Sequence, residues 1–143
     1  MKQQIIELGG GKSYDWANDR ICVKTNCDCT DGRLTMVEDT LKPGFHLAWH
    51  YHKKMTEIFY ILDGEATFNF KDETVVASSG MTITIPPNVT HEVISEKGAR
   101  LITIFSPGGF ENYLEQMANM TEEQFADEAL IRRLGEEYDI WVV

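Results

Sequence analysis

Hydrophobic and polar positions along the chain follow two periods, and the change from one to the other falls near Pro107. Up to Phe105 the chain is written in short runs rich in Val, Ile, Thr, Phe and Tyr. They are separated by turn signals at Asp31-Gly32, Pro43-Gly44, Asp63-Gly64, Lys71-Asp72, Ser79-Gly80, Pro86-Pro87-Asn88 and Lys97-Gly98. Alternation is legible from Arg33 to Leu41, Glu57 to Leu62 and Met81 to Ile85, where side chains of one parity share a face. Closely spaced strands of this kind predict an all-β sandwich or barrel over about residues 20–106. Ile58, Phe59, Tyr60, Ile61 and Leu62 break the alternation with an unbroken apolar run, which predicts protein on both faces of that strand: a second sheet or another subunit.

Beyond Ser106-Pro107-Gly108-Gly109 the spacing becomes helical, with Phe110, Tyr113, Leu114 and Met117 on one face. Thr121 begins a second predicted helix, with Glu122, Glu123 and Gln124 placed to cap it. That helix turns Phe125, Leu130 and Leu134 toward the body and Glu122, Asp127, Glu128, Glu136 and Glu137 toward water. The expected organisation is one domain over residues 1–143, a barrel followed by a short helical tail over about 107–143.

At 143 residues with 43% apolar side chains, the chain suffices for one sizeable core. Thirteen basic against 23 acidic side chains give a net charge of −10, which excludes nucleic acid and anionic membrane surfaces as general partners. The first thirty residues show neither a signal-peptide nor a transit pattern, so the expected location is cytoplasmic. Cys22, Cys27 and Cys29 form no disulfide framework, and the Cys27-Asp28-Cys29 pair lacks a second ligand pair for zinc. Gly9-Gly10-Gly11-Lys12-Ser13 superficially matches a phosphate-binding loop. The motif fails because Ile6 stands where its first glycine belongs and Tyr14 to Asp19 reads as loop rather than helix. The glycines are read as a turn after a first strand.

Of the four histidines, three fall into a pattern with a carboxylate: His50-Tyr51-His52, Glu57 and His91. On a strand, residues i and i+2 point to one side with Cα atoms about 6.5–7 Å apart, so His50 and His52 can converge on one ion. Lys53-Lys54-Met55-Thr56 is a link short enough to return Glu57 beside them, and the Pro86-Pro87-Asn88 turn sets His91 at the start of an inward-facing strand. Three imidazoles and one carboxylate suit a divalent transition metal: Fe, Mn, Ni, Co, Cu or Zn, which ligand type alone does not separate. Isolated His-x-His pairs are commonly surface residues. Here four groups and two framing turns coincide.

These residues resemble the two motifs of the cupin superfamily. The first, Gly-x5-His-x-His-x4-Glu-x6-Gly, is matched by Gly44, His50, His52, Glu57 and Gly64; the second by Gly80, Pro86 and His91. Asn88 stands where glycine is usual and Ser95 where asparagine is usual; asparagine tolerates positive φ, so the turn is still served. The resemblance implies a jelly-roll β-barrel, commonly dimeric, with His50, His52, Glu57 and His91 as metal ligands. Pro107 to Glu111 and Tyr138-Asp139-Ile140 are similar, less specifically, to small quercetin-dioxygenase-like cupins. In that branch the matching glutamate is either a ligand or a catalytic base, and both roles stay open for Glu57.

Three functions follow: an oxygen-dependent dioxygenase-like enzyme, a Lewis-acid isomerase, decarboxylase or lyase, and a non-catalytic ligand-binding barrel. By parity, Phe59 and Ile61 share a side with Glu57, and His46 and Ala48 share one with His50. His46 is read as a solvated or core-satisfied side chain in preference to a supporting donor. Phe110, Tyr113 and Met117 either cover the mouth or simply pack on the barrel. Trp49 and Tyr51 alternate away from the metal pair and are expected on the outer surface, where a homodimer contact is a natural use.

Overall fold

The computed structural model describes residues 1–143. Ten strands run β1 Ser13–Trp16, β2 Asp19–Thr25, β3 Thr35–Leu41, β4 Phe45–Tyr51, β5 Thr56–Phe70, β6 Thr74–Ser78, β7 Thr82–Ile85, β8 His91–Ser95, β9 Ala99–Ser106 and β10 Trp141–Val142. Three helices, α1 Phe110–Ala118, α2 Glu122–Phe125 and α3 Glu128–Glu137, lie between β9 and β10. All strand pairs are antiparallel, in the order β1-β2-β3-β9-β5-β8-β4-β10, with β6 and β7 also on β5. This is the all-β fold expected from the strand pattern and the jelly-roll that the cupin resemblance implies.

The long strand β5 joins the two faces. Its first half pairs with β9 and β7, and its second half with β6 and β8. The register with β9 shifts between Ile61 and Asp63, and Gly64 follows at φ 75°. A Cβ on Gly64 would stand 2.5 Å from the Gly98 carbonyl oxygen, so both the conformation and the close approach require glycine here. Inward-facing Phe45, Phe59, Ile61, Phe68, Ile85 and Leu101 form one core, with Phe59 and Phe68 edge to face at 4.9 Å. Each such side chain, taken from water, contributes about 1.5–3 kcal/mol.

Three expectations are corrected. Tyr14 to Asp19 is a hairpin, not a loop: Tyr14 and Trp16 alternate with polar residues along β1, and Ala17 and Asn18 take positive φ, the pattern of a two-residue turn. The glycines at 9–11 therefore precede the first strand. The second helix divides at Ala126-Asp127, because the Asp127 side chain accepts from the Leu130 N–H and caps a new helix; Phe125, left on the short α2, is exposed. The predicted capping box at Thr121 and Gln124 does form. Finally, the tail does not end as helix: Trp141 and Val142 pair with Tyr51 and His50 and add a strand to the edge of β4. Leu134 then joins Tyr113, Leu114 and Met117 in a second core against Ile21, Val37 and Phe105.

Candidate metal centre

Two sheets and one loop bring the four sequence-selected side chains together. His50 on β4 faces His91 on β8 in register, Glu57 comes from the first half of β5, and His52 lies in the link between β4 and β5. A bulge between Leu47 and His50 reverses the parity of β4. Phe45 and His50 are buried, whereas His46 and Ala48 are exposed, so the expectation that these two share a side with His50 is corrected. His46 pairs outside with Glu92 at 2.7 Å. The turn before His91 uses Asn88 at φ 67°, and the Asn88 N–H donates to the His52 carbonyl, tying this turn to the link that carries His52. Ser95, the other departure from the motif, is buried and donates to the Glu65 carbonyl at 2.7 Å.

Each imidazole is held through Nδ1 by a backbone carbonyl: His50 by Ala48 at 2.8 Å, His52 by Asp139 at 2.8 Å and His91 by Val89 at 2.9 Å. A carbonyl only accepts, so Nδ1 carries the proton on each ring and each Nε2 offers a lone pair. One potential ligand atom from each of the four residues lies within 4.8 Å of the others. Glu57 Oε1 is 3.5 Å from His52 Nε2 and 3.3 Å from His91 Nε2, and these three buried atoms have no hydrogen-bond partner. Ligands held about 2.0–2.2 Å from one ion at right angles lie about 3 Å apart, close to this spacing. Four side chains at most 4% exposed, with orphaned lone pairs converging, fit a divalent cation.

Burial pushes His50 down to about 4, which keeps it neutral and able to ligate. With the pocket holding protons instead of a cation, His52, which burial alone would lower, is raised by Glu57, and Glu57, which burial alone would raise, is held well below the ordinary range by His52 and His91 protonated at Nε2; a cation would take the place of those protons.

Asp139, whose role no local sequence pattern marks, organises the link between His52 and Glu57. At φ 66° its carboxylate accepts from the N–H groups of Lys53, Lys54 and Met55 at 2.8, 2.8 and 2.9 Å and from Trp141 Nε1 at 3.1 Å, while its carbonyl orients His52. Burial pushes its carboxyl up, but the three amides prevail and the net shift is downward.

The centre opens on a largely apolar cavity with about 90 Å³ of space open to the centres of water-sized molecules. One such sphere needs about 10–15 Å³, so this is room for several waters or a small ligand. Phe59, Phe105, Phe110 and Tyr113 are among its walls. Met117 packs away in the second core. Ile61, also expected near Glu57, is fully buried in the first core.

A jelly-roll holding three inward histidines and a glutamate is the architecture of a metal-capable barrel. Residues 37–105 match the family model described as Cupin domain, the family whose two motifs the sequence resembles. Over 94 residues it is 26% identical to quercetin 2,3-dioxygenase of Bacillus subtilis, a match covering 65% of this chain and 28% of that longer protein. KdgF from a Halomonas species superposes with a TM-score of 0.68 at 17% identity, over 78% of this chain and 99% of that one. An RmlC-like cupin from Shewanella frigidimarina superposes at 0.65 and 19% identity, over 78% and 96%. These two structural likenesses speak to the fold.

Proposed function

We propose that the chain is a metal-dependent small-molecule enzyme, a dioxygenase-like oxidoreductase, in which His50, His52, Glu57 and His91 hold one divalent transition metal. The observation that carries this reading is the set of three imidazoles with Nδ1 locked by carbonyls, two of which, His52 and His91, aim an unpartnered Nε2 at the Glu57 carboxylate. The sequence similarity to a dioxygenase supports the choice of reaction class. When bound, such an ion supplies Lewis acidity and open positions for an oxygen-bearing substrate and dioxygen.

The chain's own residues do the rest. Glu57, buried and water-excluded, would either complete the ligand set or, left off the metal, take a proton from an acidic hydroxyl of the substrate. Phe59 and Phe105 line an apolar wall that keeps bulk water from the reacting carbon. Asp139 holds the loop so that His52 and Glu57 keep their separation. Oxygen uptake by metal-reconstituted protein with a panel of enols and catechols is the test. Substrate-dependent uptake, lost in Glu57→Gln, is expected; turnover that consumes no oxygen would move the reaction to Lewis-acid isomerisation, decarboxylation or lyase chemistry.

We further propose a homodimer. Trp49 and Tyr51 are half-buried on the outer side of β4, whereas Tyr60 is 43% exposed with Ile58, Ile102 and Ile104 beside it across β5 and β9. The unbroken apolar run of β5 thus has one uncovered face, and a second copy is its natural cover. Sedimentation at micromolar protein is expected to show a dimer, and Tyr60→Glu a monomer; a monomeric native protein would refute the pairing.

A further inference from the structure

The cavity has a second polar pole that the metal reading does not use. Asp19 opens β2 and Asp39 lies on β3, diagonal to it on the same inward face, where Ile21 stands opposite Asp39 in register. Both line the cavity that also contains His50, His52 and Glu57, with apolar Leu41, Phe59 and Leu101 among its remaining walls. Asp19 is 6% and Asp39 7% exposed. Asp39 is accounted for: Thr103 Oγ1 donates to its Oδ2 at 2.6 Å, and the Asp19 carboxyl is its close neighbour. Asp19 Oδ1 has no partner at all.

A fold gains nothing from that atom. Leucine or isoleucine at the same parity would extend the apolar wall without an orphaned oxygen, and two adjacent carboxyls in such surroundings cannot both ionise. Burial, and then the neighbouring Asp39, hold Asp19 far above the ordinary carboxyl range, so the pair keeps at least one proton.

The geometry points to Asp19, backed by Asp39 and Thr103, as a substrate-anchoring subsite that accepts a hydrogen bond from a hydroxyl or amino group. The substrate class is then a small molecule with oxygen donors at one end, for the metal, and a hydrogen-bond donor at the other, joined by an apolar middle. This rests on the metal reading for the first end only. Asp19 is a binding residue here and has no place in the metal shell.

Three catechols carrying ethyl, hydroxymethyl or aminomethyl at the 4-position separate the possibilities, titrated calorimetrically into cobalt-loaded protein. The native protein is expected to bind the hydroxymethyl or aminomethyl compound at least tenfold more tightly than the ethyl one. Asp19→Leu, or Asp19→Ala should leucine not fold, should abolish that preference while leaving the ethyl compound's affinity within twofold. A parallel arm follows the carboxyl carbon signals of Asp19 and Asp39 by NMR in metal-free protein, which the donor-bearing probes should shift and the ethyl probe should not. Equal affinity for all three catechols in native protein, or a preference that survives in the Asp19 variant, overturns the subsite while the metal reading stands. Failure of every catechol to bind the cobalt-loaded protein, with carboxyl signals that still respond to the donor-bearing probes, overturns the proposed function, in which the metal anchors the substrate's oxygen donors, and keeps the subsite. Silence in both arms overturns both.

Discussion

Asp139 shows how much of the centre depends on a residue that is not itself positioned to bind a metal. Its carboxylate gathers three consecutive amides of the link between His52 and Glu57, and its carbonyl fixes the ring of His52. Supporting partners of this kind typically contribute 10–100-fold in metal affinity. Asp139→Ala is expected to lower affinity by about that factor and to destabilise the fold by about 2–4 kcal/mol, since charge-assisted hydrogen bonds are lost and amides left unpaired. A competitive metal titration and thermal melts check both. Asp19 carries the opposite sign. A carboxyl whose folded pKa is raised costs stability once the unfolded chain ionises, above about pH 4, and the cost grows until the folded pKa is reached. Asp19→Asn is therefore expected to be more stable than native protein at pH 7, by about 1–3 kcal/mol, and to show no such gain near pH 3. Urea unfolding at both pH values reads this directly. Equal effects at the two would show that Asp19 is ionised in the fold.

At the level of elements, two joints hold the centre in place. At Gly64, alanine would add a Cβ 2.5 Å from a carbonyl oxygen at φ 75°, and Gly64→Ala is expected to cost about 2–4 kcal/mol in a chemical unfolding experiment. The bulge in β4 is the other joint. The alternation from Phe45 onward was visible in the sequence, but an inserted residue leaves no local signature when either parity offers a histidine. The face of His46 was therefore misassigned while His50 was not. The histidine and glutamate spacing was legible because the chemistry needs those residue types at fixed offsets along strands. The carboxylates at 19 and 39 had a signal too. Asp19 shares parity with Ile21 and Val23, and Asp39 with Val37 and Leu41, so each is a charge written at a core position. The role of Asp139 had none, because it comes from a chain reversal some 85 residues away from the amides it binds.

For the whole molecule, the jelly-roll sets the chemistry by placing a polar cluster inside an apolar barrel and closing the edge of β4 with the chain's own final strand. None of its helices is long and apolar enough to cross a membrane. The measurement closest to the central claim is metal content by elemental analysis of untagged protein, alongside His50→Ala and His91→Ala variants reconstituted under the same conditions. Native protein is expected to hold one equivalent of a divalent transition metal, and both variants, folded by circular dichroism, far less. Undiminished metal in either variant, or native protein that takes up none of the candidate ions, would contradict it.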